Sequence, residues 1–309
     1  MRDKPRIAVR TGAINAGHTI VHEGTEYKLR IIPSAFVYKN ARLLVAAGAL
    51  FSIDIFLREV EVTASGNRVG VDYNSGVISN EHVLRERSDE HLMRRIGSTG
   101  SGVGIATVDR VLRTLKLAKD YPELAPYLTD VAEEVNSALD KGDIVLLEGT
   151  QGLYLSIYHG TYPYVTSRDV TASAVCSEVG IGPKRVDDVI VVLKAYVTRV
   201  GEGPLEGELS EWEAAEKGWL EVATVTGRKR RVAPFNLKMA KRAVKINSAT
   251  QVALTRVDTV FREARGVRVF EKLPPEARKF IEEVEAELGV PITLISTGPD
   301  VYEIVDRRT

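Results

Sequence analysis

Cysteine is almost absent: Cys176 is the single one in 309 residues. No disulfide or CxxC chemistry is open to such a chain, and Cys176, set among Ala172, Ala174 and Val175, reads as a small buried residue in a reducing compartment. Long apolar runs are missing as well. No stretch approaches the roughly 20 apolar residues of a membrane span, and Met1-Arg2-Asp3-Lys4-Pro5 has no apolar signal core. A cytoplasmic protein with no membrane partner is expected. Neither sign of charge is in excess, since 42 Lys and Arg face 42 Asp and Glu. A net charge of zero removes the general attraction for polyanions, so nucleic acid is not an expected partner. Glutamine occurs only at Gln151 and Gln251, which draws notice to where the first one stands.

At 309 residues and 34.0 kDa the chain can bury a substantial core. Short Val/Ile/Leu runs alternate with amphipathic segments, the pattern of strands and crossover helices around a mostly parallel sheet. Strands are expected at Arg6 to Val9, Leu29 to Ile32, Leu43 to Ala46, Ile144 to Leu147, Val189 to Leu193, Val252 to Thr255 and Ile292 to Ile295. Ile105, Val108, Leu112 and Leu115 recur at helical spacing and form one apolar stripe. Pro274-Pro275-Glu276 opens a second helix, with Phe280, Val284 and Leu288 on one face and Gly289 closing it. The expected fold class is α/β, three layers with a mostly parallel central sheet flanked by helices. One domain over 1–309 is expected, allowing a peripheral lobe at 50–95.

Ile144-Val145-Leu146-Leu147 runs into Glu148-Gly149-Thr150-Gln151-Gly152, and Gly160-Thr161-Tyr162-Pro163-Tyr164-Val165-Thr166-Ser167 follows. A buried parallel strand delivers polar groups in this way to the crevice at its carboxyl end, where open α/β sheets bind ligands. The Gln151 amide offers a donor and an acceptor together, as a purine edge requires, although a buried structural glutamine is equally compatible. Asn15-Ala16-Gly17-His18-Thr19 lies just past the first strand. Its glycine permits close backbone approach and its histidine can donate a hydrogen bond, but a surface loop would look the same.

Gly97-Ser98-Thr99-Gly100-Ser101-Gly102-Val103-Gly104 precedes the striped helix, so its amides and hydroxyls form either an anion cradle at the positive end of a helix dipole or a flexible loop. It contains neither the GK[ST] of a Walker loop nor a GxGxxG fingerprint. Thr224-Val225-Thr226-Gly227-Arg228-Lys229-Arg230-Arg231 joins two hydroxyls, a glycine and four adjacent cations. Guanidinium groups grip carboxylates two bonds at a time, which suits a dicarboxylic amino acid. A solvated basic surface or a nucleic-acid patch is the alternative, the latter disfavoured by the lack of interleaved aromatics. Thr255-Arg256-Val257-Asp258 puts a carboxylate at another strand end, where it serves either to cap the next helix or to accept from guanine N1 and N2, a pattern adenine does not supply.

Together these motifs, from about Val9 to Arg308, resemble the adenylosuccinate synthetases, which join aspartate to IMP at the expense of GTP. The resemblance implies roles for individual residues. Asn15, Ala16, Gly17 and His18 are similar in place to residues around IMP; His18 would also hydrogen-bond GTP and assist departure of GDP, with Gly17 giving a carbonyl to Mg²⁺ and Thr19 joining the GTP contacts. Thr99 and Thr166 would contact the IMP phosphate, and Gln151 the hypoxanthine base in a catalytic role. Arg113 resembles the arginine that reaches the IMP phosphate of the neighbouring subunit, which implies a homodimer. Thr224, Val225, Thr226, Gly227, Arg228, Lys229 and Arg230 match the aspartate-binding loop. There Thr226 and Arg228 would hold aspartate, Arg228 would also adjoin IMP, and Arg230 would lie near the GTP phosphates. Arg256, Val257, Asp258, Ser296, Thr297 and Gly298 would surround guanine, pointing to GTP over ATP.

The chain departs from the family pattern at Ile105, usually proline, at Arg256, usually lysine, and at Leu205-Glu206-Gly207-Glu208, which replaces a proline-threonine-glutamate run. A larger departure is the lack of anything like the family's glycine-rich GQWGDEGKGK loop, source of the base that removes the IMP N1 proton. By resemblance the chain is a compact archaeal-type synthetase shortened at its amino end, or a catalytically impaired nucleotide-binding paralogue. A regulatory G protein would also carry T-x-x-D, but it needs a GxxxxGK[ST] loop that this sequence lacks.

Overall fold

The computed structural model describes residues 3–224 and 227–308, so Val225 and Thr226 of the expected aspartate loop lie outside the described residues. In chain order the strands are β1 (Ile7–Arg10), β2 (His18–His22), β3 (Thr25–Leu29), β4 (Arg42–Val45), β5 (Leu50–Phe51), β6 (Val69–Asp72), β7 (Gly76–Val77) and β8 (Leu128–Thr129). They continue with β9 (Val145–Glu148), β10 (Ile190–Lys194), β11 (Tyr196–Arg199), β12 (Arg231–Pro234), β13 (Gln251–Thr255), β14 (Ile292–Ser296) and β15 (Ile304–Asp306). The α-helices are α1 (Ile53–Val62), α2 (Asn80–Ser88), α3 (Val103–Leu112), α4 (Val131–Asp140), α5 (Ala172–Val179), α6 (Glu211–Lys217), α7 (Leu237–Asn247), α8 (Val257–Val260) and α9 (Pro275–Leu288). Two compact units result, Met1–His18 with Lys28–Arg185, and Thr19–Tyr27 with Val186–Thr309.

The first unit is built on a sheet of order β8-β6-β4-β1-β9, in which all pairs are parallel. Its inner strands read Ile-Ala-Val and Leu-Leu-Val because helices cover them: Ala8, Val9, Leu43, Leu44 and Val45 are all fully buried. Phe56 and Val60 of α1 and Val131, Val135 and Ala138 of α4 are buried at helical spacing. Each large apolar side chain taken from water in this way stabilises the fold by about 1.5–3 kcal/mol. Residues 50–95, expected at the periphery, contribute β6 to the interior of this sheet.

Two expectations need correction here. Leu29 to Ile32 does not form a strand, because the backbone leaves β3 at Leu29 and bends. Ile31 and Ile32 are nonetheless fully buried, since the carboxylate of Glu59 on α1 accepts from the amides of Arg30, Ile31 and Ile32 at 2.7, 2.9 and 3.0 Å. A side chain thus replaces the ladder partner that a buried backbone demands. The stripe expected at Ile105, Val108, Leu112 and Leu115 is only partly covered: Leu115 is buried beyond the helix, which ends at Leu112, while Val108, Leu112 and the adjoining Val111 are 49, 63 and 69 % exposed, and Val103 and Ala106 are the buried residues of α3. Periodicity locates an apolar face without saying what covers it.

The second unit carries a sheet of order β10-β13-β14-β15, parallel except for the last pair. Val252, Leu254, Ile292 and Ile295 of this sheet pack on Ala277, Ile281 and Val284 of α9. That helix begins at Pro275 and stops at Gly289, whose φ of +65° only glycine adopts cheaply, as the sequence pattern requires. An antiparallel β11-β12 pair includes the buried Tyr196, stacked on Trp219 with ring centroids 4.9 Å apart.

Candidate functional site

Parallel strands open their carboxyl ends to ligands, and here the strands run one residue beyond the apolar runs and finish on charge or hydroxyl: Arg10, Glu148, Lys194, Thr255 and Ser296. In the first unit Arg10 and Glu148 are register partners of β1 and β9, and their side chains form an ion pair. Ser34 gives both its amide, at 2.7 Å, and its hydroxyl, at 2.9 Å, to the same carboxylate. His18 Nδ1 lies 2.7 Å from Ser34 Oγ and 3.2 Å from Glu148 Oε1. Burial would raise the Glu148 carboxyl, but Arg10, His18 and the Ser34 amide outweigh it and hold the group down at about 2.

This arrangement fixes the His18 ring. The single hydroxyl proton of Ser34 is committed to Glu148, so Nδ1 donates to Ser34, and a neutral His18 carries its proton there. Nε2 is buried with no partner among the described residues, as is Asn15 Oδ1. Orphaned buried atoms of this kind require a partner from a ligand or water. Asn15 Nδ2 meets Thr166 Oγ1 at 3.4 Å, and Arg10 Nη2 meets the Ala16 carbonyl at 3.5 Å. Ala16, through Arg10, and His18 thus gather around one carboxylate that sequence reading placed at a strand end but gave no role, while Asn15 ties Thr166 to the same loop.

Backbone packing supports the same cluster. Gly12 has φ +116°, and a Cβ there would lie 2.5 Å from Thr150 Oγ1, so the loops after β1 and β9 touch only because this residue is glycine. Thr11 and Arg168 both bond Glu178, which anchors the segment following Thr166. Gln151 is exposed and held at φ +65°, an uncommon conformation for a non-glycine residue and a mark of functional turns. Thr99 Oγ1 lies 2.8 Å from Ser101 Oγ just before α3, whose N-cap Gly102 has φ +80° and whose first turn is capped by no side chain. Thr107 on that helix meets Ser167 at 2.9 Å. Arg113 sits at the other end of α3, about 15 Å along a helix of this length, exposed and at φ +65°.

In the second unit Glu221 to Ala223 and Arg228 to Arg230 form a hairpin, closed by Arg230 N to Glu221 O at 2.8 Å and Ala223 N to Arg228 O at 2.9 Å. Alternation splits the basic run. Lys229 pairs with Glu211 and Arg231 with Glu208, while Arg230 turns to Glu221. The Leu205-to-Glu208 departure is thereby explained: Glu208 neutralises Arg231, and Glu206 accepts from Asn236 at 3.1 Å. Thr19 Oγ1 lies 3.2 Å from Thr224 Oγ1 at the hairpin tip, and Gly227, with φ +64°, turns the chain there.

The T-x-x-D turn has Arg256 at φ +63° as the N-cap of α8, with Val257 buried and Asp258 inside the first turn. Asp258 is thus not the N-cap, and the capping alternative falls. Ser296 Oγ donates to the Gly298 carbonyl at 3.0 Å. Thr297 is fully buried with its hydroxyl on the Val267 carbonyl at 2.7 Å, so it shapes the loop and its side chain is not open to a ligand. The groups that sequence reading missed are Arg10, Ser34, Glu148, Lys194, Tyr196 and Glu221. Charge at the end of an apolar run was the available signal for Arg10, Glu148 and Lys194; nothing local marks Ser34, Tyr196 or Glu221.

An oriented histidine and an uncapped helix start in the first unit, and in the second a cationic hairpin, each within a mostly parallel α/β framework, are features suited to a nucleotide-binding α/β enzyme. The sequence model of the adenylosuccinate synthetase family matches residues 2–120 and 114–262. The adenylosuccinate synthetase of Archaeoglobus fulgidus is 52 % identical over 307 residues, 99 % of this chain and 91 % of the relative. That of Pyrococcus horikoshii is 51 % identical, covering 100 % and 92 %. The chain belongs to the adenylosuccinate synthetase family. Its fold is shared by the fully ligated enzyme of Plasmodium falciparum, with TM-score 0.91, 24 % identity and coverage of 98 % and 94 %. The cyanophage S-2L succinoaminodeoxyadenylate synthetase, solved with dGMP and with dATP as energy donor, has TM-score 0.80, 26 % identity and coverage of 100 % and 89 %.

Proposed function

We propose that this chain performs the GTP-dependent ligation of L-aspartate to IMP, giving adenylosuccinate, GDP and phosphate in purine nucleotide synthesis. The observation that carries the reading is the His18 cluster, an imidazole anchored at Nδ1 by Ser34 and Glu148 with a buried Nε2 left for a ligand. In the reaction, GTP phosphorylates O6 of IMP after N1 loses its proton, and aspartate then displaces the phosphate. His18 Nε2 bonds the transferring phosphate region, Gln151 the hypoxanthine edge, and Thr99, Thr166 and the start of α3 the IMP phosphate. For Nε2 to donate to a phosphate while Nδ1 donates to Ser34, the ring must hold two protons, and the adjacent Glu148 carboxylate stabilises that charge. Arg228 holds the aspartate carboxylate and Arg230 the triphosphate.

No cluster of three acidic, histidine or cysteine side chains suited to a metal occurs among the described residues. The Gly17 carbonyl would serve as a protein ligand to a Mg²⁺ carried by the triphosphate, and the ion would supply neutralisation of the phosphate charge. The base for N1 belongs to the family's glycine-rich loop, which residues 1–309 do not contain. The bare α3 face, Val108, Val111 and Leu112 beside the exposed Arg113, supports a homodimer in which Arg113 reaches the neighbouring site. No helix of the described residues is long and apolar enough to cross a membrane; the family membership is what supports a cytoplasmic enzyme.

The cyanophage protein uses dATP, so the fold by itself does not fix the donor and the base must be read by side chains. Asp258, free of any capping duty in α8, accepts from guanine N1 and N2. Replacing Asp258 with asparagine is expected to lower the preference for GDP over ADP by roughly 10-fold or more, as loss of a charge-assisted hydrogen bond costs about 1.5–3 kcal/mol. Titration of both nucleotides against both proteins measures it, and an unchanged preference rejects the guanine assignment.

A further inference from the structure

Glu221 is placed unlike any other carboxylate among the described residues. It lies at the base of the hairpin that presents Arg228 and Arg230, and its side chain is only 11 % exposed. Lys194 Nζ, from the end of β10, donates to Oε2 at 2.8 Å, and the Tyr196 hydroxyl donates to Oε1. Arg230 Nε stands 3.5 Å from Oε2, and Arg256 Nε stands 3.4 Å from Oε1. Three cations, from β10, the hairpin and the T-x-x-D turn, thus share one carboxylate. The register places Lys194 opposite Thr255, so the turn begins beside the same group. Tyr196 cannot drift, because its ring is fully buried against Trp219.

Charge decides what this arrangement does. Lys194, Arg230 and Arg256 repel one another, and Glu221 is the group that draws all three together. Burial would raise the Glu221 carboxyl, yet Lys194, Tyr196 and Arg256 hold it below the usual carboxylate range. Arg256 in addition occupies a left-handed backbone conformation that surrounding contacts must maintain. A neutral residue at 221 takes from three cations the carboxylate they share, and the hairpin and the turn lose their common tether.

We infer that Glu221 is a positioning residue that couples the dicarboxylate-binding hairpin to the guanine-reading turn, so that a guanosine phosphate and aspartate each tighten binding of the other. This rests on the assignment of Arg228 to aspartate and Asp258 to guanine given above. A ligand that fixes the turn also fixes Arg256, hence Glu221, hence Arg230 and the hairpin carrying Arg228. Because coupling free energy is reciprocal, the same factor acts in both directions.

The test is calorimetric titration of GDP into the 309-residue protein, with and without saturating L-aspartate, for the wild type, E221Q and Y196F. Coupling in allosteric pairs is typically about 5- to 150-fold. The wild type is expected to bind GDP more tightly by a factor in that range when aspartate is present, E221Q to show a factor near one, and Y196F, which keeps the stacked ring but loses the hydroxyl, to fall between. Y196F decides the matter should E221Q fail to fold. A wild-type protein that binds GDP and aspartate independently overturns the coupling and leaves the site assignment standing. One that binds neither overturns both, and variants as strongly coupled as the wild type overturn the role of Glu221.

Discussion

Replacing His18 with asparagine is expected to lower kcat for adenylosuccinate formation by about 10²- to 10⁴-fold, the usual worth of a positioned acid or base, while the aspartate KM stays within a few-fold of the wild type. The measurement belongs in protein that carries the family's glycine-rich loop ahead of Met1, where turnover has its base. The size of the effect follows from how the ring is held. Ser34 and Glu148 engage Nδ1, and Nε2 is buried with no partner among the described residues, so that nitrogen is the one proposed to meet the ligand, and asparagine does not reach its position. Glu148→Gln is expected to act in the same direction through His18, since it keeps the shape of the carboxylate but removes the charge that balances Arg10 and an imidazolium. A His18→Asn enzyme with wild-type kcat would remove the histidine from the reaction.

Exchange of Arg228 for leucine should raise the aspartate KM by at least about 10-fold or abolish turnover, because each hydrogen bond to a charged group is worth about 1.5–3 kcal/mol and a guanidinium supplies two to one carboxylate. The GTP and IMP dependences serve as internal controls. The neighbouring cations have carboxylate partners: Lys229 and Arg231 pair with Glu211 and Glu208, and Arg230 with Glu221. Arg228→Lys should recover part of the loss, as it restores charge without the bidentate fork. An aspartate saturation curve unaffected by the leucine would reject the assignment.

Much of the fold was legible because burial writes itself into apolar runs. Ile-Ala-Val, Val-Leu-Leu and Ile-Val-Val-Leu each became a parallel strand, and the proline and glycine that bound α9 stand where capping chemistry needs them. The failures are also physical. Ile31 and Ile32 are apolar and buried yet not in a strand, because Glu59, distant in sequence, supplies their hydrogen bonds. Of the expected α3 stripe, Val108 and Leu112 are exposed while Leu115 is buried, and nothing within one chain's sequence distinguishes a core face from a face kept for another copy.

The site was legible to the extent that its groups are local. The Asn15-to-His18 loop, the Glu148 strand end, the hairpin cations and the T-x-x-D turn all fall in short motifs. What holds them is not local: Ser34 meets Glu148 across more than a hundred residues, and Lys194, Tyr196, Glu221, Arg230 and Arg256 converge from separate elements. Strand ends read one residue short turned Arg10 and Lys194 into loop residues and hid their part in these clusters.

The most direct test of the account follows the ultraviolet absorbance rise of adenylosuccinate in a mixture of IMP, L-aspartate, GTP and Mg²⁺, using this protein with the family's glycine-rich loop supplied ahead of Met1. The expected result is product formed in step with GDP and phosphate, requiring all four components and not sustained by ATP. Absence of product under those conditions, or product formed without GTP, would contradict it.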